Sequence, residues 1–513
     1  MPSAAPRDPS AIGRTTRFAA AIAVTAFGLP AAAVASCEDL SQLSIPNTRI
    51  TSAQLIAAGQ SSTQIFSGLP SFCRIVGTVN TSISTRIRFE VWLPASHWNG
   101  NFLVNGFAFF GGTMDPELLS DAVRRGYATA TTDLGGDGTP SAKYLLGHPD
   151  RLVDWNERGW HATTRTAKTL ISAFYHRRPA RSYWQSCGGG TRQGLKEIAT
   201  YPDDLDALAA GGLSNGTTFF TFGQFWRWQA VNGEGGSPIP SAKLTLLHEA
   251  ALRACAAGGR VVNGVITDPE HCRVDPSILQ CQGNDAANCL TAAEVTTAHK
   301  LYGPVTDPST RQVISGPLMP GSELAWETER KPLGSFPQDF FRYLVFQDPD
   351  WDYVHRPIDY DADFTLANRP ELATISAMEV DLRRFLSRGG KLLIYAGWND
   401  TAIPPYDRID YYRRLVATTG KTLTHTGVRL FMIPDMGHCP VGSAAKDGYT
   451  VDSLPLITAW RERHVSPEQL IVIHKAQGNE DRSMLVCPYP KRAIYIGPGS
   501  PTMAENFRCN PPD

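Results

Sequence analysis

A chain of 513 residues with 42% hydrophobic content can bury one large core, or one core carrying a sizeable insertion. Its formal charge of −1 and pI near 6.9 give no basic field for nucleic acid and no polybasic stretch for an anionic membrane surface. No nucleic-acid or membrane partner is therefore expected; a small neutral or weakly acidic ligand fits the balance, and oligomeric state stays open.

In chain order, Arg14 and Arg17 precede an apolar run over 18–33 and the small residues Ala33-Val34-Ala35, which read as an export signal with its cleavage site near Ser36. The run is short for a permanent span. A lipid anchor on Cys37 competes, but Cys37 also makes the cysteine count even, which favours a disulfide. Residues 1–36 are thus expected to be a signal peptide and the mature chain secreted or periplasmic. Ten cysteines in an exported chain imply as many as five bridges. Cys255 with Cys272, Cys281 with Cys289, and Cys487 with Cys509 are short-loop candidates, and Cys37 with Cys73 would tie down the N-terminus. Cys187 and Cys439 remain, and a bond between them would clamp two distant loops. The competing reading makes Cys187 a free thiolate.

Strand-like runs follow at 87–94, 102–105 and 127–133, with helical stretches at 116–126 and 160–175. A strand at 182–184 then leads into Cys187-Gly188-Gly189-Gly190-Thr191 and a helix over 192–199. Strand, sharp turn and helix make a nucleophile elbow, with Gly188 where a serine should stand. Ser186 and Thr191 are the nearest hydroxyls, each off the apex.

From Thr217 the composition shifts to Phe219, Phe220, Phe222, Phe225, Trp226 and Trp228, then four cysteines and a Pro-rich aromatic region up to Leu366. This reads as an inserted lid over 217–366 that interrupts a core of 37–216 and 367–513, with most of the aromatics in its core and some on a pocket wall. Beyond it come a helix at 375–389, a buried strand at 391–395, a helix at 407–418 and a last strand at 428–433. Asp400 and His438 fall just past the ends of those strands, where open α/β sheets place their active sites. The order nucleophile, acid, histidine predicts an α/β-hydrolase fold: a mostly parallel sheet flanked by helices, with a large inserted lid domain.

Several stretches together carry a resemblance: Cys37-Glu38-Asp39-Leu40, Val91-Trp92-Leu93-Pro94, Arg125-Gly126-Tyr127-Ala128, Tyr201-Pro202-Asp203-Asp204-Leu205-Asp206 and Gly437-His438-Cys439. The chain resembles the tannase and feruloyl esterase family of α/β-hydrolases from Cys37 almost to its end. The resemblance implies a disulfide staple between Cys187 and Cys439, Asp400 as the acid, His438 as the base, and amides of Gly188 and Gly189 as the oxyanion hole, with Gly188 on the serine. It implies aromatic or phenolic esters as substrates, with activity lost or strongly reduced, or retained only as binding. It also implies a calcium loop after a cysteine. The equivalent loop, including Ala256, Gly259, Arg260 and Asn263, offers Asn263 and carbonyls against an opposing guanidinium, so no metal or other cofactor is expected. Two further stretches depart from the family: Asn105-Gly106-Phe107-Ala108-Phe109-Phe110 and Asp133-Leu134-Gly135-Gly136.

Overall fold

Nine strands form the central sheet of the computed structural model, which describes residues 36–59, 68–107, 110–111, 114–439 and 447–511. Residues 1–35 of the expected signal segment lie outside the described residues, as do Ala108 and Phe109. The strands are β1 (Thr48–Ile56), β2 (Phe72–Val79), β3 (Ile87–Pro94), β4 (Asn101–Asn105), β5 (Ala128–Thr132), β6 (Arg181–Cys187), β7 (Ala207–Gly211), β8 (Lys391–Gly397) and β9 (Val428–Ile433). Their spatial order is β1-β2-β3-β5-β4-β6-β7-β8-β9. From β5 to β9 every neighbouring pair is parallel, whereas β1, β2 and β3 form an antiparallel edge joined to β5. This is the α/β-hydrolase fold that the order of the elements predicts.

The parallel strands are buried along almost their whole length because helices cover them. All residues of β5, β7 and β9 are buried. Helix α1 (Gly159–Tyr175) sets Trp160, Leu170, Ile171 and Phe174 into the core, each worth about 2 kcal/mol of apolar burial. Helix α2 (Gly189–Thr200) starts directly at the turn after β6, and α3 (Pro405–Thr419) follows β8.

Between β7 and β8 the chain adds helices Thr217–Asn232, Ser241–Cys255 and Ala292–Leu301 and two short hairpins. Phe222 and Phe225 are fully buried against Phe341, Trp351 and Tyr353. Trp226 and Trp228 instead line a cavity of about 510 Å³ with Tyr353 and Tyr360.

The stretch 375–389 is not one helix. Only Arg383–Ser387 is helical, because the preceding backbone is bound elsewhere. Ile375 O accepts from Arg192 Nη1 at 3.2 Å, Ala377 N–H donates to Asn215 O at 2.7 Å, and Glu379 pairs with Lys196. These tertiary bonds replace the i to i−4 ladder and lay the segment along α2.

All five disulfides pair as expected: Cys37 with Cys73, Cys187 with Cys439, Cys255 with Cys272, Cys281 with Cys289, and Cys487 with Cys509. A bonded Cys187 rules out the free-thiolate reading. Five bridges fit an oxidising compartment. Among the described residues no helix is long and apolar enough to cross a membrane.

Candidate active site

Gly188 is the single residue between the end of β6 and the start of α2, with φ 66° and ψ −133°. Side chains adopt that backbone only at a cost, and glycine adopts it freely. The turn is fixed on both sides. Gly188 N–H donates to Gly211 O at 3.0 Å, and Gly188 O accepts from Thr191 N–H at 2.9 Å and Thr191 Oγ1 at 2.6 Å.

Asp400 and His438 follow the C-terminal ends of β8 and β9, and the sheet brings both to Gly188. His438 Nδ1 lies 2.8 Å from Asp400 Oδ2, which orients the imidazole and sets its other nitrogen toward the elbow. A Cβ built on Gly188 would lie 3.0 Å from His438 Nε2. The imidazole side chain is 33% exposed and therefore open to solvent, whereas Asp400 is enclosed.

Asp400 is held from three directions. Its Oδ1 accepts from the amides of Ala402 and Ile403, each at 2.9 Å, and its Oδ2 also pairs with Arg408, a fully buried guanidinium from α3. Burial alone would raise this carboxyl, but Arg408, His438 and the Ile403 amide outweigh it and hold Asp400 well below the usual carboxylate range. It stays ionised, as an orienting acid must. Sequence reading missed Arg408, since an arginine on a helix carries no signal of its own. It also missed Asn399, whose Nδ2 donates to Gly321 O at 2.9 Å and Asp435 Oδ1 at 3.2 Å and whose N–H donates to Met436 O, pinning the histidine loop to the acid loop.

The bond from Cys187 to Cys439 joins the residue before the elbow to the residue after His438, with Cα atoms 6.0 Å apart and a sequence separation of 252. Closing so long a loop stabilises the folded state by about 5 kcal/mol on chain-entropy grounds. Gly212 makes room for it: a Cβ there would fall 2.3 Å from His438 O.

The expected oxyanion donors need one correction. The Gly188 amide is taken by Gly211 O, because the β6 to β7 pairing runs one residue past Cys187. Gly189 is the first residue of α2, and its amide has no intrahelical acceptor and points out of the helix N-terminus. The loop after β4 meets the same point: a Cβ on Gly106 would lie 2.7 Å from Gly190 O, and Phe107 N–H reaches Gln193 Oε1 at 3.3 Å.

Neither nearby hydroxyl is turned to His438. Ser186 Oγ accepts from Trp184 Nε1 at 3.0 Å, and Thr191 Oγ1 donates to Gly188 O and accepts from Ser214 N–H at 2.9 Å. Asp133 is a structural carboxylate, bound to the Arg88 side chain and to the amides of Arg88 and Gly135.

The loop that corresponds to the family calcium site does not fit a divalent cation. Asn263 (φ 49°) and Gly264 (φ 74°) are the exposed turn of a hairpin between Val261–Val262 and Val265–Ile266, the left-handed pair a two-residue hairpin takes. Asn263 is a turn residue, and Ala256 and Gly259 bring only carbonyls. Arg260 Nη1 donates to Ala257 O at 2.7 Å, so a guanidinium already occupies a carbonyl in this loop.

A parallel sheet that carries an orienting acid, a histidine and a strand-turn-helix elbow at the ends of β6, β8 and β9 defines an α/β-hydrolase. Residues 73–510 match the family described as "Tannase and feruloyl esterase", and the chain belongs to that family of carboxylic ester hydrolases. It is 32% identical to an uncharacterized esterase of Xanthomonas campestris pv. campestris, over 95% of this chain and 93% of that protein. It is 28% identical to feruloyl esterase B of Aspergillus niger, over 94% of this chain and 98% of that one. Among solved structures, feruloyl esterase B from Aspergillus oryzae superposes with a TM-score of 0.83 at 26% identity, covering 93% of this chain and all of that one (100%).

Proposed function

We propose that this chain is an exported member of the family that takes aromatic or phenolic esters and turns them over at a strongly reduced rate, because Gly188 stands where the chemistry needs a nucleophile. The observation that carries this is the approach of His438 Nε2 to within 3.0 Å of the position of a Cβ at residue 188. The base is oriented, the acid is ionised and the elbow is folded, yet residue 188 offers no oxygen to attack a carbonyl. The names of the feruloyl esterase B relatives supply the substrate class. Residues 217–366 serve as the lid over a core of 37–216 and 367–513, with 1–36 as the export signal.

In the complete reaction a serine oxygen adds to the ester carbonyl while His438 Nε2 takes its proton. Asp400 stabilises the imidazolium, and the Gly189 amide receives the oxyanion. His438 then returns the proton to the departing alcohol, and a water deprotonated by the same imidazole cleaves the acyl-serine ester, releasing the acid and returning the proton to serine. Without the serine, binding and oxyanion stabilisation remain, which leave roughly a thousandfold over water.

A second reading, a non-catalytic binder of phenolic esters or acids, is favoured by the aromatic cavity lined by Trp226, Trp228, Tyr353 and Tyr360. Hydrolysis of methyl ferulate and methyl gallate by the chain and by Gly188→Ser from one preparation separates the readings. Turnover restored in the variant supports an esterase disarmed at one residue. A variant that stays inert, with ligands that still raise the melting temperature, supports the binder.

A further inference from the structure

Asp268 is a buried carboxylate, 6% exposed in its side chain, ringed by two guanidinium groups and an imidazole. His271 Nδ1 lies 2.8 Å from its Oδ1, Arg492 Nη1 lies 2.5 Å from its Oδ2, and Arg260 Nε stands 3.7 Å from the same oxygen. These groups come from separate parts of the chain. Arg260 precedes the Val261–Val262 and Val265–Ile266 hairpin, His271 lies just before Cys272 of the bridge to Cys255, and Arg492 begins the C-terminal strand Arg492–Tyr495. A second link runs alongside: Arg413 of α3 pairs with Glu270 at 2.7 Å, and Tyr489 OH reaches Glu270 Oε2 at 3.1 Å. Between the links lies a cavity of about 200 Å³ whose walls include Val262, Trp398, Met432 and Phe507.

We propose that the guanidinium groups of Arg260 and Arg492 act as a built-in cation at Asp268, so that the hairpin is fastened to the C-terminal strands without the metal that the family resemblance implies for this loop. A carboxylate in this setting needs positive charge close by, because an unpaired buried ion is costly. A divalent ion would supply that charge from solution. Here two arginines supply it covalently, and Arg260 Nη1 also takes the Ala257 carbonyl that a hard cation would claim. A calcium ion entering this loop would meet two fixed guanidinium charges and one carboxylate already engaged. The inference concerns only the loop and stands apart from any catalytic activity.

The test is thermal unfolding of the full, disulfide-intact chain in excess EDTA and in excess calcium chloride, beside Arg260→Met/Arg492→Met and the triple variant that adds Asp268→Asn. The expected result is an unchanged melting temperature for the unaltered chain in both solutions and a fall of roughly 5 °C for the double variant. Adding Asp268→Asn should recover part of that fall, since it removes the stranded charge. A general packing role for the arginines would give no such recovery. The proposal is overturned if EDTA lowers or calcium raises the melting temperature of the unaltered chain, or if the triple variant is no more stable than the double. Should the variants fail to fold, the metal titration of the unaltered chain decides alone.

Discussion

His438 Nε2 lies 3.0 Å from the point that a Cβ of residue 188 would occupy. A histidine held at that spot by Asp400 is poised to take a proton from a side chain that Gly188 does not have. The surroundings of residue 188 are fixed by contacts that do not involve it: the Cys187 to Cys439 bridge, the Asn399 bonds between loops and the buried Arg408 under Asp400.

Gly188→Ser should raise turnover of phenolic esters by at least about a thousandfold, since losing a triad serine costs on the order of a millionfold. The same change places a side chain at φ 66° and should lower stability by about 1–2 kcal/mol. Kinetics and denaturant unfolding on one preparation read both effects.

Asp400→Ala should destabilise by about 3–5 kcal/mol, because it strands the fully buried Arg408. Arg408→Met in the same chain should recover much of that loss. In the native protein Asp400 is held below its ordinary value, so its stabilising contribution is full above the unfolded carboxylate range and is lost as pH falls through the lower folded value. Acid unfolding of Arg408→Met should therefore begin at higher pH than that of the unaltered chain.

Burial pushes the Asp407 carboxyl up to about 6 against the amide of Gly316 and the hydroxyl of Ser315, which favour the ionised form but do not win. The folded protein holds this proton more tightly than the unfolded chain, so ionisation of Asp407 weakens the fold as pH rises from about 4 through about 6, and the loss is complete above that. Asp407→Asn should raise the melting temperature near neutral pH and bring no gain at about pH 4. A gain of equal size at both would contradict this assignment.

Ser186→Ala and Thr191→Val should leave any residual ester hydrolysis unchanged, because both hydroxyls are bonded within the elbow. Thr191→Val should still cost about 1–3 kcal/mol, since it leaves the Ser214 amide and one acceptor site of Gly188 O unmet in the interior. Comparing the residual rate with the unfolding midpoint of each variant distinguishes the two roles.

The elbow, Asp400 and His438 were legible because each is local: a strand, a break in periodicity and a reactive side chain within a few residues. The cysteine pairs were legible from short spacings and from the two left over. What escaped depends on distant partners. β7 reads Ala-Leu-Ala-Ala-Gly, with none of the β-branched or aromatic residues that announce a strand, and it is one only because β6 and β8 enclose it. Residues 375–382 lose helix to bonds with Arg192 and Asn215. The Gly188 amide goes to Gly211 because the sheet runs one residue further than the sequence signals. Asn263 followed by Gly264 was a hairpin signal in plain view, read instead as the remnant of a metal loop.

The most direct measurement is intact mass after exposure to a fluorophosphonate, which reacts only with an activated nucleophile beside a working base and oxyanion hole. The account predicts no adduct on the unaltered chain and one adduct on Gly188→Ser, lost again when His438→Ala is added. An adduct on the unaltered chain would show another nucleophile at work, and a folded Gly188→Ser chain that takes none would show that the remaining site is not competent.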